Sequence, residues 1–511
     1  MDGLILLPIF LPSLAGLLLL ASSFLEDVQA SRSESRSKSA ALQNNEKRHI
    51  LHLLTGTVLL VSAALALWVA WTGSERSVTL FYLMDNIPIY FHIDALGKLF
   101  VTFVSIIWVL VGIYAFVYME HEGDEKRFFG IYLLVYGVLT ALDFAGNLVT
   151  MYLFYELMTL TSMPMVLHNG SREAIMASLK YLFYSMCGAY LGLFGIFFLY
   201  KYCDTLTFTA GGSLNLALAA QNNGILLAAI FAMLLGFGAK AGMFPLHAWL
   251  PAAHPVAPSP ASAVLSGIIV KSGVLAVIRV VYYMVGTEFL RGTWVQTAWM
   301  SLALLTVFLG SLLAFREPIF KKRLAYSTIS QISYILFGLS LMTPTGMTGA
   351  LLHTVFHAFI KCALFLTAGI FIFQCKKTRV EELAGIGKQM PKTLICYTFA
   401  SLALIGIPPA SGFISKWYLA QGVLEADAGI FCWLGPIVLL ISALLTAGYL
   451  LPVTINGFFP GTKWNAAAAK KSEPKPGMLL PLAVLAVLSV LMGILPNPLI
   501  TYISRIAETL M

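Results

Sequence analysis

The chain has 511 residues, of which 59% are hydrophobic and only 11% are charged. A soluble globular domain carries about 25% charged residues, so the composition excludes a soluble enzyme and leaves no soluble catalytic domain. The net charge of +8 is explained below by the placement of basic residues around a membrane, without a nucleic-acid partner.

Apolar runs of roughly 18 residues or more mark membrane-spanning helices. They predict an all-α polytopic membrane protein of about fourteen helices, near 4–25, 50–72, 94–118, 128–143, 147–168, 178–200, 224–248, 259–283, 297–315, 324–342, 346–374, 393–422, 429–455 and 478–498. The first run has Asp2 rather than a basic flank and no small-residue cleavage site, so it reads as a retained helix. Residues 26–48 form a polar, Ser-rich cytoplasmic loop, and 459–477 a second polar linker.

The basic residues test this count, because cytoplasmic loops collect Lys and Arg. Of the 32 Lys and Arg, 21 fall in one alternating set of loops, four in the other set and the tails, and seven in or at the helices. Both termini are therefore expected outside. Six cysteines (Cys187, Cys203, Cys362, Cys375, Cys396 and Cys432) show no metal-ligand or redox spacing and read as small apolar residues.

Five charged residues break otherwise apolar spans: Glu156, Lys240, Lys271, Lys361 and Lys416. A charge at the bilayer centre costs roughly 3 kcal/mol on insertion scales, so such groups face protein or water and mark transport routes. Of the 24 carboxylates only Glu156 lies in mid-span, whereas Asp94 and Asp143 sit at helix ends. A nearby lysine would keep Glu156 ionised, and a purely structural ion pair is the alternative reading.

Lys240 precedes Pro245, which removes a backbone hydrogen bond and breaks the seventh helix. Lys416 follows GIPPASGFISK, where Pro408 and Pro409 break the twelfth. Broken helices beside buried charges are characteristic of ion sites in transporters. His247 and His254 flank the first break as proton-entry candidates, and equally as loop residues near the surface. Lys180 opens the sixth helix, where it snorkels to the interface or feels Glu156 and Lys240.

His353, His357 and Lys361 are spaced i, i+4 and i+8, forming one polar stripe on an apolar helix. Three titratable groups in register suit a proton relay. No third and fourth ligand accompanies them, so no metal site is expected. The two broken helices lie five apart, which divides the chain into an N-terminal part (1–127), two five-helix units (128–283 and 297–455) and a C-terminal part (456–511). With an odd number of helices per unit, the second copy is inverted.

The stretches YELMTLTS, GAKAGMFPLHAWLP, SPASAVLSGIIVKSG, KRLAYSTISQISY and GIPPASGFISKW resemble the antiporter-like subunits shared by respiratory complex I, Mrp-type sodium/proton antiporters and group 4 membrane-bound NiFe hydrogenases. The resemblance covers nearly the whole chain. It implies that Glu156 and Lys240 form the gating pair, Lys271 the connecting lysine, His353, His357 and Lys361 the relay, and Lys416 the terminal lysine. The family's acidic residue after WLP is replaced by Ala252, and His254 follows in an AHP form that is similar to the hydrogenase-type members. The resemblance further implies a bacterial or archaeal plasma membrane and a complex with other membrane subunits and peripheral redox subunits. No cofactor is expected in this chain; iron–sulfur, NiFe or flavin centres would sit in partners, and sodium would be moved indirectly. A self-sufficient secondary carrier for a cation or solute is the competing expectation, against which the polar axis shows no pocket for a larger solute.

Overall fold

The computed structural model describes residues 2–30, 40–72, 76–84, 86–461 and 471–511. It is almost entirely helical. Helices α1 (Leu7–Ala30), α2 (Ala40–Trp71), α3 (Ala95–Glu122), α4 (Glu125–Asp143), α5 (Leu148–Val166) and α6 (Arg172–Tyr202) form the first part. Helix α7 (Asn223–Ala241), the short α8 (Leu250–Val256) and α9 (Ser259–Val285) follow. The rest comprises α10 (Trp294–Arg316), α11 (Phe320–Ser340), α12 (Pro344–Cys375), α13 (Pro391–Ile405), α14 (Ser411–Glu425), α15 (Phe431–Phe458), α16 (Pro476–Ile494) and α17 (Asn497–Thr509). Among the described residues, ten helices are each long and apolar enough to cross a membrane. The chain is a polytopic integral membrane protein.

Helix α9 is buried along its whole apolar length and α12 along nearly all of it, whereas α1, α2 and α15 leave broad leucine-rich faces exposed. A helix that is apolar all round belongs in the interior of a membrane bundle. The two central helices are therefore the ones that carry Lys271, His353, His357 and Lys361. Glycines let neighbouring helices approach closely. A Cβ on Gly273 of α9 would lie 2.7 Å from the Phe237 carbonyl oxygen and the Ala241 nitrogen of α7. That contact holds the backbone next to Lys271 against the backbone next to Lys240.

Three expectations need correction. Residues 26–30 and 40–48 are helical ends of α1 and α2 rather than loop; the run AALQNNEK is rich in helix formers, and 31–39 lie outside the described residues. The span placed at 478–498 ends at Ile494, and α17 begins at Asn497 as a separate amphipathic helix burying Ile503, Ile506 and Ala507. Residues 77–84 and 87–92, expected as loop, form two antiparallel strands, β1 (Ser77–Met84) and β2 (Ile87–His92). Their β-branched and aromatic residues favour strand, but the segment is too short to rival the flanking spans. Of the second polar linker, 462–470 lie outside the described residues.

Candidate functional site

The first break lies where the sequence places it, with a different stop. Helix α7 ends at Ala241 because Gly242 takes a left-handed conformation (φ 79°), which costs glycine nothing. Pro245 then lies in the turn leading to α8 rather than within a continuing helix. The Trp249 indole N–H donates to the Ala239 carbonyl at 2.9 Å, satisfying an oxygen at the helix end. The second break has the same construction. Helix α13 ends at Gly406 (φ 90°), and α14 restarts at Ser411 beyond Pro408 and Pro409.

Lys240 is fully buried. Its ammonium donates to the Tyr155 carbonyl at 3.0 Å and to the Thr159 hydroxyl, both on α5, and sits 4.0 Å from the centroid of the Tyr155 ring. A desolvated cation–π contact contributes about 2 kcal/mol, so ring and oxygens together offset much of the cost of burial. Glu156 is half-buried on the same helix. Among the described residues no carboxylate lies within 4.0 Å of Lys240. The expected Glu156–Lys240 pair is thus not in direct contact here, because the lysine is seated on the α5 backbone one residue away.

Lys271 lies between two wider π turns of α9, Leu265–Ile269 and Arg279–Val285. Such turns free backbone carbonyls and recur at functional sites. Its ammonium donates to the Ser266 carbonyl at 2.9 Å, inside the first π turn, and meets His357 Nδ1 at 2.7 Å. The His357 and His353 rings are 6.0 Å apart. His353 Nδ1 pairs with the Ser415 hydroxyl at 2.9 Å and Nε2 with Gln331 Oε1 at 3.1 Å. Tyr334 stacks on His353 at 5.6 Å, and Lys416 lies 5.2 Å from the Tyr334 centroid. These contacts link α9, α12, α11 and α14 into one polar chain.

Lys416 donates to the Leu404 and Ile405 carbonyls, each at 2.8 Å. It therefore caps the negative end of the broken helix α13. Lys361 donates to the Leu324 carbonyl at 3.1 Å and the Ser327 hydroxyl at 2.7 Å, with Tyr449 donating to that same hydroxyl at 2.6 Å. All four lysines share one kind of seat, made of carbonyl, hydroxyl, imidazole or ring rather than carboxylate.

His254 is buried with both ring nitrogens unpartnered and stacks on Phe365 at 4.6 Å. His247 is half-buried at the break with Nδ1 unpartnered. Lys180 is exposed on α6, its ammonium 6.0 Å from the Tyr184 ring centroid. It does not contact Glu156 or Lys240, because the α6 face against α7 is made of small residues such as Gly188 and Gly192. Among the described residues no group of three or more His, Cys, Asp or Glu is arranged to hold a metal ion.

Sequence reasoning missed the seats themselves. Ser327, Gln331 and Tyr334 are spaced i, i+4 and i+7 in KRLAYSTISQISY, a polar stripe at helical period on a buried helix. That period was the available signal. Lys321, expected in a loop, is buried and donates to the Ala257 carbonyl at 2.5 Å beside His254.

Residues 145–455 match the family model described as NADH:quinone oxidoreductase/Mrp antiporter, TM. Residues 83–129 match that of the NADH-ubiquinone oxidoreductase (complex I) chain 5 N-terminus. The chain is 31% identical over 435 residues to NADH-quinone oxidoreductase subunit N of Desulforudis audaxviator, covering 81% of this chain and 84% of that one. It is 27% identical over 521 residues to an Na(+)/H(+) antiporter subunit of Bacillus subtilis, covering 100% and 98%. Among solved structures, a chain of the Mrp complex from Dietzia sp. DQ12-45-1b shares the fold with a TM-score of 0.80 at 21% identity, covering 100% of this chain and 97% of that one.

Proposed function

The chain belongs to the membrane-subunit family of NADH:quinone oxidoreductases and Mrp antiporters, and we propose that it is the proton-translocating subunit of a multi-subunit energy-converting complex. The observation that carries this reading is the set of lysines Lys240, Lys271 and Lys361, buried, and Lys416, half-buried, all seated on neutral acceptors, with Lys271 joined to Lys416 through His357, His353 and Tyr334. A carboxylate in contact would hold a lysine's charge fixed. Neutral acceptors leave the ammonium free to surrender its proton and regain it.

In the proposed cycle Glu156 and Lys240 form the gate. A neighbouring subunit or a shift of α5 brings the carboxylate toward or away from the ammonium, changing how tightly Lys240 holds its proton. The proton passes to Lys271, then through His357 and His353 to Lys416 at the second break. Lys361 exchanges with the same relay, and His247, His254 and Lys180 are the entry candidates.

The architecture we propose has fourteen membrane crossings with both termini outside, and units 128–283 and 297–455 related by an inverted repeat between 1–127 and 456–511. The two breaks support it, since each ends on a left-handed glycine, Gly242 and Gly406. Redox centres, if the complex has them, belong to partner subunits, and sodium moves indirectly. The membrane we propose is a bacterial or archaeal plasma membrane.

Mass spectrometry of the subunits that copurify with the tagged chain tests the assignment. Membrane partners with iron–sulfur or NiFe cysteine motifs make it a redox-driven pump, and small membrane partners alone make it part of a cation/proton antiporter. Isolation of a solitary, transport-competent chain would overturn the reading.

A further inference from the structure

The axis of lysines and histidines leaves unused a second cluster of buried charge, at the end of the bundle opposite the basic loops. Asp94 precedes α3 as its N-cap, its carboxylate accepting from the Gly97 N–H at 2.8 Å. Arg279, 2% exposed at the start of the second π turn of α9, donates to both Asp94 oxygens at 2.5 and 2.8 Å. The guanidinium is held over the rings of Phe208 and Tyr283 at 4.7 and 4.5 Å.

Asp143, the last residue of α4, is 2% exposed, lies in the field of the same guanidinium, and has Oδ2 without a partner. A cavity of about 450 Å³ adjoins the pair, bounded by Asp94, Arg279, Tyr283, His92 and, from α17, Tyr502 and Arg505. His92 Nδ1 is also buried and unpartnered. Buried polar atoms are nearly always satisfied by protein or ordered water; His92 lines the cavity, and Asp143 precedes by two and three residues Ala145 and Gly146, which line it too, so these orphans mark a wet, exchangeable place at its wall.

We infer that Asp143 is a second proton-release group, separate from Lys416, discharging through this cavity beneath α17. The inference rests on the proton-translocating reading above. Bidentate pairing ties up Asp94, whereas Asp143 keeps an open oxygen. Among the described residues Asp143 belongs to no group of three or more His, Cys, Asp or Glu arranged to hold a metal ion, which leaves it a site for one proton and not a ligand shell.

Behind it lies a face of α4 that carries polar side chains. Tyr132, Tyr136, Thr140 and Asp143 are spaced i, i+4, i+8 and i+11 along one face of α4. Tyr136 meets the Ser105 hydroxyl of α3 at 2.8 Å, and Thr140 donates to the Tyr136 carbonyl at 2.9 Å. Arg279 stands eight residues beyond Lys271 on α9, a rise of about 12 Å, which places the cluster toward the end of the bundle, off the main axis. The titratable groups near Asp143 are Arg279 of α9 and Tyr136 of its own helix, and Asp94 of α3 pairs with the same guanidinium.

The test uses the intact complex in liposomes, with the pH stepped on the face opposite the basic loops while infrared difference spectra are recorded. A protonated-carboxyl C=O band should follow that pH, persist in Asp94→Asn and vanish in Asp143→Asn. Asp143→Asn should also slow pumping about tenfold, and Asp143→Glu, which keeps the acid, should recover most of the rate. A packing role predicts the reverse order, since Glu is the larger change. If Asp143→Asn does not assemble, the band and rate of Asp143→Glu carry the test. A wild-type pumping rate in Asp143→Asn, a band indifferent to that pH, or Glu behaving worse than Asn would overturn the inference. Lys240→Ala measured alongside separates the two claims: if it is inactive while Asp143→Asn pumps normally, the axis stands and only this release site falls.

Discussion

Lys271 and His357 face each other across the centre of the bundle with 2.7 Å between Nζ and Nδ1. With the lysine as ammonium, Nδ1 must accept, so the imidazole proton lies on Nε2, which has no partner in its buried position. Proton transfer from Lys271 to Nδ1 then leaves His357 charged and able to release from the other nitrogen. Two distinct nitrogens on one ring give the contact what the proposed relay step needs.

It follows that His357→Leu should stop passage beyond Lys271 while leaving the helix pair packed. Pumping by the assembled complex should fall by at least about tenfold, with copurifying subunits unchanged. His357→Gln keeps an acceptor but cannot carry a proton through, and should be equally slow. A His357→Gln complex pumping at the normal rate would remove His357 from the route.

The contact of α9 with α7 at Gly273 predicts a second effect. Adding a Cβ places it 2.7 Å from Phe237 O and Ala241 N, and such overpacking costs about 1–3 kcal/mol. Gly273→Ala should lower the thermal stability of the purified complex and slow pumping several-fold by separating Lys240 from Lys271. Gly224→Ala, at a helical glycine with nothing within 4 Å, is the control and should leave both unchanged.

Asp94 and Arg279 bear on stability. Asp94 lies before the α3 span; burial pushes its carboxyl up, but the charge and hydrogen bonds of Arg279 and the Gly97 N–H outweigh that and hold it below the ordinary value. A carboxylate with a depressed folded-state value stabilises fully above the unfolded value of about 4 and loses that contribution as pH falls through the folded one. Thermal melts in detergent should therefore show a loss of stability below about pH 4 that Asp94→Asn abolishes. At neutral pH the substitution strands the buried guanidinium and should cost about 3–5 kcal/mol.

Much of the site is legible in the sequence alone. Lys240, Lys271, Lys361 and Lys416 stand out because a charge in an apolar run is costly, and His353 and His357 because helical period puts them on one face. What each ammonium touches is not legible there. Tyr155, Leu324, Leu404 and Ile405 contribute backbone carbonyls, which every residue owns and no side-chain pattern reveals. The Asp94–Arg279 pair joins residues 185 apart in sequence, and only the packing of α3 against α9 brings them together. The strand pair β1–β2 and α17 escape notice because spans dominate the hydropathy signal on either side.

The most direct test is proton pumping by the intact complex carrying Lys240→Ala, measured in liposomes alongside the copurifying subunits. Loss of pumping with a full set of subunits is the expected result, since Lys240 is the buried, proton-holding member of the proposed gate. Pumping at the wild-type rate in that variant would contradict the proposed axis at its first step.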